Sequence, residues 1–123
     1  MKYEEVDSYL ISLFPDFVID EIDDGLPYCV AGSFAHYLLE AHKNGSIDTL
    51  ALAGKFIEEL HVHEDEKINE LATIGYLEAI QNVFGNNSVD SEEMVKYLGQ
   101  ESKKWWIKLN RFWSGDIEAL RYE

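Results

Sequence analysis

Across residues 68–84, apolar positions recur at three- and four-residue spacing: Ile68, Leu71, Ala72, Gly75, Tyr76, Ala79, Ile80 and Val83. That spacing places them on one face of a helix. Leu77 and Phe84 widen the face, and Ile74 sits among the polar residues opposite it. Glu70, Glu78, Gln81 and Asn82 are left as the wet edge. A helix apolar around more than half of its circumference needs neighbours on two or three sides. The stretch therefore predicts the central helix of an all-α domain. Burying about eight such side chains, at roughly 1.5–3 kcal/mol for each large one, is a large part of what a small domain can gain. Gly75 costs helix propensity, but it lets another backbone come close.

The same reading predicts helices on either side. Val6, Leu10, Leu13 and Phe14, with Tyr9 beside them, form the inner face of a first helix over residues 3–14, which Pro15 helps to end. Phe17, Ile19 and Ile22 alternate poorly, so residues 16–25 read as an irregular or short helical connection. Pro27 suits a first helical position. Val30, Phe34, Tyr37, Leu38 and Ala41 then form the stripe of a second helix, closed by Lys43-Asn44-Gly45. Ser46 or Asp48 caps a third helix, with Leu50, Ala53, Ile57 and Leu60 inward and Phe56 beside them, ending near residues 61–63. Glu64, Asp65 and Glu66 open the central helix, where acids suit the dipole, and Gly85-Asn86-Asn87 stops it. Asp90 and Glu93 have capping-box spacing before a short fifth helix with Met94, Tyr97 and Leu98. Ser102 caps a sixth, which carries Trp105, Trp106, Ile107, Leu109, Phe112 and Trp113, and residues 116–122 add a loose turn or two. No good strand pattern is present. Short links predict antiparallel αα-hairpins, as a helical bundle or a short solenoid-like stack, in one domain over residues 1–123. No internal repeat is strong enough to impose a solenoid.

Charge changes the picture more than composition does. Hydrophobic residues make up 46% of the chain, enough for a real core and against disorder. The 24 acids against 10 bases give a formal net charge of −14. Such a field repels phosphate, which argues against nucleic acid and anionic membrane and favours solubility or a basic partner. The single cysteine, Cys29, cannot form an internal disulfide and reads as a buried, inert thiol. The start lacks the basic and apolar regions of a signal peptide, and no stretch has membrane-spanning length. A soluble cytoplasmic protein is the expectation.

Each candidate for chemistry has a plainer reading. Residues 20–25 lead acids toward Gly25 like a calcium loop, but Ile22 stands at the third ligand position and Ala31 at the closing one. A solvated acidic loop or a docking surface for a basic protein remains. His61, His63 and Glu64, and separately His36, Glu40 and His42, match no zinc spacing and read as surface or helix-end residues. Cys29 and His36 lie two helical turns apart, about 10 Å, too far for a thiolate–imidazole pair. Lys103, Lys104, Lys108 and Arg111 among three Trp resemble a nucleic-acid face, but most of Trp105, Ile107, Leu109, Phe112 and Trp113 should be core. There is no phosphate loop, no nucleophile with a matching base, and no carboxylate pair set apart by spacing. The expectation is no enzyme, no cofactor and no metal.

Three segments also carry a family resemblance. They are Gly25-Leu-Pro-Tyr with Gly32-Ser-Phe-Ala-His-Tyr-Leu, then Leu71-Ala-Thr-Ile-Gly-Tyr-Leu-Glu, then Tyr97-Leu-Gly-Gln-Glu-Ser-Lys-Lys-Trp-Trp with Asn-Arg-Phe-Trp113. In combination they resemble a bacterial helical domain family of unknown function, with Gln100 standing where that pattern has proline. The resemblance implies an all-α fold. It also suggests the small immunity proteins of contact-dependent growth inhibition, which neutralise a cognate toxin. Charge density alone selects the partner-binding residues: Asp20, Glu21, Asp23 and Asp24, then Glu58, Glu59, Glu64, Asp65 and Glu66. The partner would be a toxin domain with a basic surface, and the chain a monomer or weak homodimer. The rival readings are a regulatory or scaffolding helical module and a metal-dependent enzyme using the histidines.

Overall fold

The computed structural model describes residues 1–116 and 118–120, and every regular element among them is helical. Helix α1 is Val6–Leu13, preceded by a 3₁₀ turn at Tyr3–Glu5. A second 3₁₀ turn, Glu21–Asp23, leads to α2, Pro27–Lys43, with Pro27 in its first turn. Helix α3 is Ile47–His61. The central helix is α4, Glu66–Glu70, a π-helical segment, Leu71–Leu77, and α5, Glu78–Asn86. The backbone is right-handed helical at both joins, so the pieces form one rod. A 3₁₀ stretch, Ser91–Tyr97, precedes α6, Gln100–Trp113. The expected turns over residues 116–122 fall partly on residues 117, 121 and 122, outside the described residues; residues 118–120 form a turn.

The rod is central in the sense its pattern predicts. Its π segment packs on α2, α3 and α6, and α5 also lies along α2. The spacing did not show the π turn, which lies around Gly75. A Cβ there would stand 2.8 Å from Leu71 Cδ1 of the same rod but at ordinary contact distance, 3.5 and 3.6 Å, from Tyr28 and Ala31 of α2, so the glycine relieves crowding within the rod rather than admitting a second backbone. Gly54 is tighter. Its Cβ would fall 1.9 Å from the Tyr97 carbonyl oxygen, so α3 and the 3₁₀ stretch meet backbone to backbone. Phe34 of α2 holds the aromatic core, with ring centres of Phe14, Phe17, Tyr76 and Phe56 at 4.9, 5.2, 6.0 and 6.3 Å. These distances suit offset and edge-on packing.

Several local expectations need correction. Gln81 is buried rather than on the wet edge: its amide donates to Asn110 (3.2 Å) and its carbonyl accepts from the Trp113 indole (3.0 Å). Asp90 caps through the Glu92 amide, whereas Glu93 pairs with His42 at 2.8 Å. Ser102 lies inside α6, fully buried, and Gly99 is the capping position. Trp105, Trp106 and Leu109 are core, but Ile107 is 59% and Trp113 51% exposed, Trp113 standing at the last position of α6. Cys29 is exposed rather than buried. It lies in the first turn of α2, before the helix meets the core at Val30.

A candidate acidic binding face

The connection before α2 is fixed at several points. Phe17 is buried against Phe34, and Tyr37 donates a 2.7 Å hydrogen bond to Asp16. Asp20 caps the 3₁₀ turn through the Ile22 amide, and Ser33 donates to Asp23 at 2.8 Å. Between these anchors, large apolar side chains face water: Val18 (80% exposed), Ile22 (79%) and Leu26 (50%). Asp20, Glu21 and Asp24 are exposed among them. Scattered apolar residues are ordinary on a surface, but a fixed acidic strip with its apolar residues held outward has the composition of an interface.

A second feature adjoins it. A groove of about 540 Å³ runs between the central helix and α6, with Glu64, Glu66 and Glu70 on its lining and Ile74 and Trp105 as apolar wall. The Tyr28 hydroxyl, two residues beyond Leu26, reaches Glu70 at 3.5 Å and joins strip to groove. Among the described residues no cation pairs with Glu64, Glu66, Glu70, Asp20, Glu21 or Asp24. Nearby groups register the uncompensated field. Burial, then the charges of Glu70 and Tyr3, push the Tyr28 hydroxyl up to about 12. Burial, then Asp24, holds the Asp7 carboxyl above its usual range. Burial, then Asp7 and Glu70, raises Tyr3.

The groove gathers Glu64 and Glu66 and adds Glu70, which charge density along the chain passes over, while Asp20, Glu21 and Asp24 stay on the strip that Tyr28 links to it. The other predicted residues are spent on internal contacts. Asp23 accepts from Ser33, and Asp65 caps α4 through the Lys67 amide at 2.8 Å. Glu59 accepts from the Tyr9 hydroxyl at 2.6 Å, holding α1 to α3. Glu58 sits at the start of α6, its carboxylate accepting from the Glu101 (3.1 Å) and Ser102 (2.9 Å) amides. An anion there satisfies orphan helix donors and suits the dipole. Gly99 makes room, since a Cβ would meet Glu58 at 2.4–2.6 Å. Burial works to raise the Glu58 carboxyl, but the amides, with support from the Ser102 hydroxyl and His61, hold it below its usual range.

His61, expected at a helix end, continues this network inside. Nδ1 lies 2.7 Å from Ser102 Oγ and Nε2 lies 2.9 Å from Thr73 Oγ1. Burial outweighs the pull of Glu58 and lowers its pKa to about 4, so the ring is neutral and carries one proton. The neutral ring donates through one nitrogen and accepts through the other, so Ser102 and Thr73 play opposite roles toward it. Both hydroxyls are buried, away from any substrate at the surface. His63 Nδ1 accepts from the Asp65 amide and His42 pairs with Glu93. Among the described residues no group of three or more His, Cys, Asp or Glu is placed to hold a metal ion, and no helix is long and apolar enough to cross a membrane.

A family model for a domain of unknown function (DUF7674) matches residues 8–114, and the chain belongs to that family. The match spans all three segments that carried the resemblance. No curated protein and no solved structure matches the chain.

Proposed function

We propose that this chain is a stoichiometric binding protein of the immunity type, which covers a basic surface on a toxin domain and so blocks its active site or its access to substrate. The observation that supports it most is the strip over residues 18–26, where Val18, Ile22 and Leu26 stand out among Asp20, Glu21 and Asp24 on a fixed connection. Apolar contacts supply affinity once the partner docks. The carboxylates steer its approach and reject acidic surfaces. A strip already held in place loses little entropy on binding. The formal charge of −14 extends the steering field beyond the strip.

The test is capture with tagged protein at low and moderate salt, beside the Asp20→Lys/Glu21→Lys/Asp24→Lys variant. The proposal expects a basic protein that the wild type retains, that salt releases and that the variant fails to hold. That protein should arrest growth when expressed alone and be harmless when co-expressed with this chain. Equal capture by wild type and variant, with the same salt dependence, contradicts the strip. A captured protein that is harmless by itself contradicts the immunity reading.

A further inference from the structure

The groove between the central helix and α6 is more selective than a patch of negative charge. Glu66, Glu70 and Ile74 follow one another at four-residue spacing on the rod, so they line up along one wall. Asn69 shares the lining, and its amide orientation is fixed by its partners. Nδ2 faces the carbonyls of Leu60, His61 and His63 at 2.9, 3.2 and 2.8 Å. Carbonyls only accept, so the nitrogen must be there and the Oδ1 acceptor lies on the other side. Thr73, also on the lining, is tied inward by its hydroxyl to His61. The carboxylates and the Asn69 oxygen are all acceptors, beside the apolar surface of Ile74 and Trp105. Trp105 already has a cation over its ring, Lys108 Nζ at 4.5 Å from the centre.

From this lining we infer that the groove receives one lysine or arginine side chain of the basic partner, its aliphatic stem against Ile74 and Trp105 and its charged end among Glu64, Glu66 and Glu70. The partner's part in this rests on the binding role proposed above. The groove's preference for such a group does not. A neutral aliphatic side chain would leave the carboxylates unpaired in a narrowed space, and an anion would meet only acceptors. A cation with several N–H donors satisfies them together. The volume of about 540 Å³ lies within the size range of small-ligand pockets, ample for a single side chain.

The probes are the doubly blocked amino acids Nα-acetyl-lysine methylamide and Nα-acetyl-arginine methylamide, with the norleucine analogue as the neutral control. Each is titrated at low salt into uniformly ¹⁵N-labelled protein. The expected result is saturable movement of the Trp105 indole and the Thr73 and Ile74 amides with both cations, and none with norleucine. Glu64→Gln/Glu66→Gln/Glu70→Gln should weaken binding at least tenfold. Ile74→Lys, which places the chain's own ammonium at the wall, should abolish it. Amide spectra of both variants check that the fold is kept. Shifts confined to residues 18–26, equal binding of norleucine, or unchanged affinity in the triple variant would each overturn the inference. These titrations read the groove without any partner, whereas the capture experiment reads the partner through the strip, so either can fail alone.

Discussion

Glu58 and Glu66 carry the same group within one short stretch of chain, and the fold uses them in opposite ways. Glu58 turns inward and holds the start of α6 through the Glu101 and Ser102 amides. Glu66 turns outward onto a groove where, among the described residues, no cation meets it. The inner side of the molecule, where α3, the 3₁₀ stretch and α6 meet, fills its hydrogen-bonding capacity with Glu58, His61, Ser102 and Thr73. The outer face leaves its carboxylates to solvent. A count of acids along the sequence treats both alike, yet only the second set is free to meet a partner. The comparison makes unequal demands on stability: changes on the inner side should unfold the protein, and changes on the outer face should not.

The largest effect is expected at the tightest inner contact. Gly54→Ala drives a methyl group into the Tyr97 carbonyl, a backbone atom that cannot swing aside. Chemical denaturation should show a loss of about 3 kcal/mol. A loss under 1 kcal/mol would mean that α3 and the 3₁₀ stretch separate easily.

Next comes the pH dependence that His61 imposes. The unfolded chain takes up a proton near 6.5, while the folded chain refuses it until about 4. Stability should therefore be fully present above pH 6.5 and fall as the pH drops toward 4. The sum is about 3 kcal/mol, from 1.36 kcal/mol per pKa unit. Glu58, held low, adds to the loss at the acid end, whereas Asp7 and Glu78, raised by burial, oppose it. Measuring the difference between wild type and His61→Gln isolates the histidine: that difference should fall by about 3 kcal/mol between pH 6.5 and 4 and no longer change with pH below 4.

A smaller loss, about 2 kcal/mol, is expected for Glu58→Ala, which strips the start of α6 of its charged acceptor. Glu58→Gln should lose less, since its amide oxygen still accepts. Equal losses in the two variants would show that packing rather than hydrogen bonding holds the junction. At the far end of the scale, Glu21→Lys/Asp24→Lys, which leaves the Asp20 cap in place, should leave stability within about 0.5 kcal/mol of wild type. Thermal melts that show a clear loss would move the strip to the structural side of the comparison.

How far the sequence reveals this division depends on distance along the chain. The central helix, its neighbours on three sides, the start of α2 at Pro27 and the stop at Gly45 are local patterns, and the fold carries them. The Glu58–Ser102 contact joins residues 44 apart, and nothing near either one announces it. Ser102 therefore looks like an ordinary cap, and Glu58 like one more surface acid. Gly54 and Gly99 matter for what approaches them from elsewhere, which their own neighbours in the chain do not encode. The strip was half legible: its acids stand out, but contacts with the distant Phe34, Ser33 and Tyr37 turn Val18, Ile22 and Leu26 outward. Glu70 was readable in principle, because Glu66, Glu70 and Ile74 share one helical face at four-residue spacing. Counting runs of charge instead of faces hides it.

The central claim is that the outward carboxylates serve a basic partner. Its most direct test is the association rate of the captured partner with wild type and with Glu21→Lys/Asp24→Lys, followed across a series of salt concentrations. The account predicts a wild-type rate that falls steeply with salt, and a variant at least tenfold slower at low salt whose rate barely responds to it. Equal rates and equal salt slopes for the two proteins would contradict it.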